Sequence, residues 1–544
     1  MKNWLRCALL MAPLGLMSLS LANAATPESS KPDALSSATP DQGNLFHAES
    51  VNSEGSVTVG GQRIDYRAVA GTIIVHPKHW DDAAWREHAQ DKDKDAGEHH
   101  ADSPEASMFY VAYFKKGAPA EGRPITFLFN GGPGSSTVWL HMGAFGPRRV
   151  LTPGDTHVSP APYRMVSNEY SLLDASDLVF IDAPGTGFSR IAGKDKEKAF
   201  YGVDPDAYAF SRFIQQFLSK YGRWNSPKFL FGESYGTPRS SNLINILETQ
   251  DSTDFNGIVH LSQILNFDLS ADAPQFNPGT DQAYIVSLPT YAATAWYHNR
   301  LTGPKQPLES FLKEVEHFAL TDYALALQQG ANLAPAQKRA VAEQLSKYIG
   351  LPVDYILKSD LRVNGGQFEK TLQDAQGLTT GRLDTRFSGP SMDPLSREAD
   401  YDPQSASISS AYVSAFNDYA RKDLHYGEGL TYKPEIGVEW AQDHRPPGAD
   451  SAQSGILNLM PDLASAMKYN PKLKVLLAGG YYDLATPYFE GKYEMAHLQI
   501  PDKLQANIEY HYYPSGHMVY ANEASLKALH EAVADFIRRA SMAQ

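Results

Sequence analysis

Cysteine is nearly missing from this chain of 544 residues: Cys7 is the one example. Disulfides, a nucleophilic thiol and zinc–thiolate sites are therefore excluded beyond residue 7. Positive charge is also short. Lys and Arg number 48 against 62 Asp and Glu, a formal charge of −14, which argues against nucleic acid or an anionic membrane surface as main partner. Long apolar runs are scarce too. Cys7 to Leu21 stands out, and it is too short to cross a bilayer, so no stable membrane insertion is expected. No internal repeat is found.

That apolar run has a different use. Lys2 and Arg6 precede it and Ala22-Asn23-Ala24 follows, the layout of a secretory signal peptide cut after a small-x-small site. Residues 1–24 are expected to be removed, leaving a periplasmic or secreted protein of charge −16 once Lys2 and Arg6 are gone. Residues 25–45, rich in Ser, Pro, Asp and Ala, read as a disordered leader.

The remaining length suits a large core and more than one domain. Ser56 to Val59, Gly60-Gly61 and Gln62 to Val69 predict a hairpin. Residues 81–107 are dominated by charge. His88, His99 and His100 within them are potential metal ligands, but alternating Asp and Lys favour a solvated surface, and no metal or other cofactor is expected. Apolar runs at Met108 to Phe114, Ile125 to Phe129, Leu178 to Ile181, Lys228 to Phe231 and Ile258 to Leu261 predict strands. Helical patterns lie between the later ones; one starts at Asp204-Pro205, with Asp204 as its cap. Strand and helix in alternation predict an α/β fold with a mostly parallel sheet. The alternation stops over 289–450, which reads as helices and irregular segments covering the sheet, and resumes at Leu473 to Leu477 and Ile508 to Tyr512, with a closing helix at Leu526 to Ile537. The expected division is a core of 46–288 and 451–544 with a cap insertion, 289–450.

The chemistry centres on Gly232-Glu233-Ser234-Tyr235-Gly236. A strand, G-x-S-x-G and a helix together form a nucleophile elbow, which holds a serine clear of the sheet. Alone, the five residues could be an ordinary glycine-rich loop. An activated serine needs a base, and the base needs an acid to orient it. Asp483 follows the strand ending in Ala478-Gly479-Gly480, and His517 follows the next one. The order Ser, Asp, His, each just past a strand, is that of an α/β-hydrolase triad. Asn130-Gly131-Gly132-Pro133-Gly134 lacks the Lys-Ser/Thr of a phosphate-binding loop. In a hydrolase it would supply one oxyanion amide, at Gly132, with the other from Tyr235.

These blocks, together with Asp182, Pro184, Gly187-Phe188-Ser189 and Gly516-His517-Met518, resemble the serine carboxypeptidases of the carboxypeptidase Y type. The resemblance runs from about Tyr110 to the C-terminus. It implies an α/β-hydrolase with a mainly helical cap, releasing C-terminal residues from peptide substrates through an acyl-enzyme. It also implies that Asn130, Gly131 and Glu233 bind the substrate's terminal carboxylate. Three departures stand out: Leu128 replaces a Trp, Ser135 a Cys, and Ala144 a second Glu that pairs with the one before the serine. Without that partner, Glu233 is expected to ionise at lower pH, so binding should be confined to acid pH or borrow a cation. His141 is the nearest candidate in sequence. Two other readings use the same residues. An esterase or acyltransferase keeps the triad and changes the acyl acceptor; a non-catalytic binding protein would have no need of it.

Overall fold

A glycine pair turns the first two strands. Gly60 and Gly61 take φ of 55° and 78°, the left-handed values that a two-residue hairpin requires. They join β1 (Ser50–Val59) to β2 (Gln62–Val75), with Val59 opposite Gln62. The computed structural model describes residues 45–80, 103–455 and 457–542. The expected signal peptide, the leader up to residue 44, and His88, His99 and His100 lie outside them.

The strands continue as β3 (Glu105–Lys115), β4 (Ile125–Phe129), β5 (Asp177–Ile181), β6 (Lys228–Glu233), β7 (Gly257–Leu261), β8 (Lys474–Gly480) and β9 (Ile508–Tyr513). They form one sheet in the order β1-β2-β3-β5-β4-β6-β7-β8-β9, and the short strand Arg190–Ala192 pairs with β3. The β1–β2, β2–β3 and β3–β5 pairs are antiparallel. Every pair from β5 to β9 is parallel. All residues of β4, β5 and β7 are buried, as continuous apolar strands covered on both faces must be.

Alternate residues feed two cores. Phe127, Val179, Leu230, Ile258 and Val475 pack with helices α1 (Val203–Tyr221) and α2 (Gly236–Thr249). Leu128, Phe180, Phe231, Val259 and Leu476 join the opposite cluster. This period of two is the strand's own geometry. With helices on both faces of a mostly parallel sheet, the architecture is an α/β-hydrolase fold.

Between β7 and β8 a third cluster, built from residues between Leu269 and Leu372, reaches Tyr482 and Leu484. Those two flank Asp483. Residue 289, expected to open the insertion, instead lies inside α3 (Gln282–Tyr297). Pro289 removes one helical N–H, yet the helix is buried on every side from Ala283 to Ala295, so packing holds it together. Helix α4 (Pro403–Lys422) supplies Ile408, Tyr412 and Phe416 to the sheet's own cluster. Asp204 is not the cap of α1. It lies within the helix, where its carboxylate receives Asn242 Nδ2 and pairs with His444. Later come α5 (Met460–Tyr469), α6 (Tyr488–Ala496) and α7 (Glu523–Met542). No helix among the described residues is long and apolar enough to cross a membrane.

Candidate active site

Ser234 sits where β6 becomes α2, at φ 59°. Such a left-handed serine costs about 1–3 kcal/mol and persists only where its surroundings enforce it. Here its N–H donates to Leu261 O at 3.0 Å, and Thr237 N–H returns to Ser234 O at 2.8 Å. A Cβ on Gly232 would sit 2.1 Å from Gly236 O, so glycine is required there.

The loop after β4 lies on this turn. A Cβ on Gly131 would meet Tyr235 N at 2.3 Å, so its backbone and the Tyr235 amide are in direct contact, with Gly132 next at φ 100°. Arg239 of α2 anchors the loop: Nη1 donates to Asn130 O at 2.6 Å and Nε to Asp206 at 2.6 Å. Both side chains are buried.

Two further loops bring the acid and base to the same edge of the sheet. His517, just past β9, pairs through Nδ1 with Asp483 Oδ2 at 2.8 Å, just past β8. Thr486 holds the acid in place, donating its N–H to Oδ1 at 3.0 Å and its hydroxyl to Oδ2 at 2.7 Å. The His517 backbone is clamped by Leu383 O at 2.7 Å and the Ser262 hydroxyl at 2.8 Å. Burial alone would push His517 down. The charge and hydrogen bond of Asp483, helped by Glu233, outweigh it and hold the imidazole above its usual value.

Glu233 is 2 % exposed. Tyr520 Oη donates to its two oxygens at 3.1 and 2.9 Å, and the Asn130 side chain hydrogen-bonds it as well. Burial carries the carboxyl up to about 7, against the pull of His517, Tyr520 and Asn130. Loss of a second Glu at Ala144 has therefore not left Glu233 an ordinary carboxylate: burial keeps it raised, although the Tyr520 phenol beside it pulls the other way. His141 is not the expected cation. It stacks on Phe180 at 4.3 Å, its Nε2 is 2.7 Å from Tyr113 Oη, and burial lowers its pKa to about 3.

The structure thus brings Ser234, Tyr235, Gly131, Gly132, Asn130 and Glu233 together, and puts the Asp483–His517 pair at the same sheet edge. Tyr520, Thr486 and Arg239 were not foreseen. Tyr520 lies three residues past His517 but meets Glu233 across 287 positions, and no local spacing announces that. Among the described residues, no group of three or more His, Asp or Glu is arranged to hold a metal.

Residues 92–264 match the family described as serine carboxypeptidase. The chain is 29% identical over 178 residues to serine carboxypeptidase-like 36 of Arabidopsis thaliana, covering 31% of this chain and 34% of that one. Over 101 residues it is 35% identical to the pheromone-processing carboxypeptidase KEX1 of Saccharomyces cerevisiae, 18% of this chain and 13% of that one. A carboxypeptidase Y homolog of Arthroderma benhamiae is 30% identical over 152 residues, 28% of each. The chain thus spans about a third or less of the length of these relatives.

Proposed function

We propose that this chain, which matches the serine carboxypeptidase family over residues 92–264, is a serine carboxypeptidase that releases C-terminal residues from peptides by acyl-enzyme chemistry. The observation that carries the reading is the 2.8 Å His517–Asp483 pair at the edge of the sheet where Ser234 stands in its left-handed turn. Ser234 Oγ attacks the scissile carbonyl while His517 takes its proton, and Asp483 stabilises the imidazolium. The amides of Gly132 and Tyr235 receive the oxyanion. His517 then protonates the departing amine, and water, activated by the same base, frees the acyl group. The substrate's terminal carboxylate is received by the amides of Asn130 and Gly131 and by protonated Glu233.

Export through residues 1–24 belongs to this proposal; N-terminal sequencing of mature protein should begin near Ala25. The cap insertion expected over 289–450 is read as shaping the side-chain pockets, because its residues between Tyr291 and Leu372 share a cluster with Tyr482 and Leu484, beside Asp483. Charged replacements of its apolar residues should change residue preference while a serine-directed phosphonate still reacts. Mass spectrometry of a peptide mixture tests the central reading. Stepwise C-terminal loss, absent in Ser234→Ala, supports it; internal cleavage or release of ester-linked acyl groups alone overturns it.

A further inference from the structure

We infer that Tyr520 is a positioning residue that aims the Glu233 proton at the substrate's terminal carboxylate. The inference rests on the carboxypeptidase reading and extends it to a residue outside the matched segment.

The geometry gives the hydrogen bonds a direction. Asn130 Oδ1 accepts from Leu140 N–H at 3.0 Å, which fixes the amide flip and turns Nδ2 away from that loop. Nδ2 then donates to the Tyr520 oxygen and to Glu233. With its oxygen so occupied, Tyr520 uses its one proton on the two Glu233 oxygens, at 2.9 and 3.1 Å. Burial, then the nearby Glu233, push Tyr520 far above its ordinary value, so the phenol remains a donor throughout the working range. Both neighbours of Glu233 therefore give protons to it. Its own proton has no acceptor among them and is left for a ligand beside Ser234. A carboxylic acid held this way offers a donor to an anion where a free carboxylate would repel it.

Packing keeps the phenol in place. Tyr520 is 3 % exposed. It lies against Gly143, where an added Cβ would be 2.7 Å from Tyr520 and 2.5 Å from Tyr412. The ionisable groups that face Glu233 are His517 and Asp483 from the two loops, Tyr520, and Tyr412 from α4. His517 favours the charged form of Glu233 and Asp483 opposes it.

The test is kcat/KM for one peptide with a free C-terminus and for its C-terminal amide, from about pH 5 to about pH 9. Four proteins are compared: wild type, Tyr520→Phe, Glu233→Gln and the double variant. Both substrates meet the same folded fraction, so their ratio survives any loss of stable protein. In wild type the acid is preferred, and that preference falls as Glu233 ionises near pH 7. Tyr520→Phe should lose the preference roughly tenfold, mainly in KM. What remains should persist to higher pH, because ionised Glu233 has lost a donor. Glu233→Gln should keep a pH-independent preference, and adding Tyr520→Phe to it should leave the alkaline behaviour unchanged. If Tyr520→Phe keeps both the wild-type ratio and its pH dependence, the role given to Tyr520 is wrong while the carboxypeptidase reading stands. If wild type itself shows no preference at any pH, the carboxylate reading fails first and takes this inference with it.

Discussion

Ser234, His517 and Asp483 come from positions separated by 283 and 249 residues of chain at their widest, and each was legible because it follows a strand and a glycine-rich turn. Acting as one unit, they should not contribute additively. Each single alanine variant is expected to lower kcat by roughly 10⁴-fold or more, and the triple variant by little more than Ser234→Ala alone. Steady-state kinetics with a chromogenic peptide checks this; near-additive losses would remove the triad assignment. Tyr520 and Thr486 were not legible. Their roles depend on side chains meeting across loops, and a tyrosine three residues past a histidine carries no period or motif. His141 shows the opposite error: nearness in sequence to Ala144 suggested a cation, and burial made it neutral.

At the scale of elements, apolar runs located the strands to within a few residues because both faces of the sheet are covered. Helices of the 289–450 region were harder. Their apolar faces are shared between the third cluster and the sheet's own core, so no local pattern marks where one ends. Helix α2 matters beyond its length, because Arg239 ties it to α1 through Asp206 and to the glycine-rich loop after β4 through Asn130 O. Arg239→Ala would leave Asp206 without its partner in a site where its side chain is 1 % exposed and burial already raises its pKa. Loss of about 3–5 kcal/mol is expected, read from the shift of the urea midpoint. Activity per folded molecule should also drop, since the loop loses its anchor. A midpoint within error of wild type would show that the pair is not holding α1, α2 and the loop together.

For the whole molecule, the buried ionisable groups set a stability curve. Burial raises Glu233 to about 7 and Glu248 to about 8, and holds His141 near 3 and His260 near 4. Burial also pulls His444 down, but Asp204 and Asp462 overcome it and bring it to about 9. Between the model-peptide values of 4.5 and 6.5 for Glu and His, the two glutamates hold protons that the unfolded chain has released. The two histidines lack protons that the unfolded chain holds. The four contributions offset one another. Above 6.5 these two histidines no longer differ, while Glu233, Glu248 and His444 still do, as do Glu494 and His517. The folded state binds the extra protons, so stability falls as pH rises through 7, 8 and 9. Each such proton is worth about 1.4 kcal/mol per pH unit. Below 4.5 the contribution of these two histidines falls toward acid. Asp182, Glu369, Glu490 and Glu494 are also raised by burial, against the further lowered histidines His76 and His298. Thermal unfolding should therefore show Tm declining from mild acid onward and lower still on the alkaline side. A Tm that is flat or rising from 6.5 to 9 would contradict the assignment of these buried groups.

The central claim is that a serine nucleophile and a buried, protonated carboxyl together act on a free C-terminus. The most direct measurement is wild-type kcat/KM for a peptide acid and its amide across pH, since His517 is common to both substrates and cancels in the ratio. The account predicts a ratio well above one in mild acid that declines as pH passes about 7, where Glu233 loses its proton. A ratio of one at every pH would contradict it and favour an esterase or acyltransferase using the same triad.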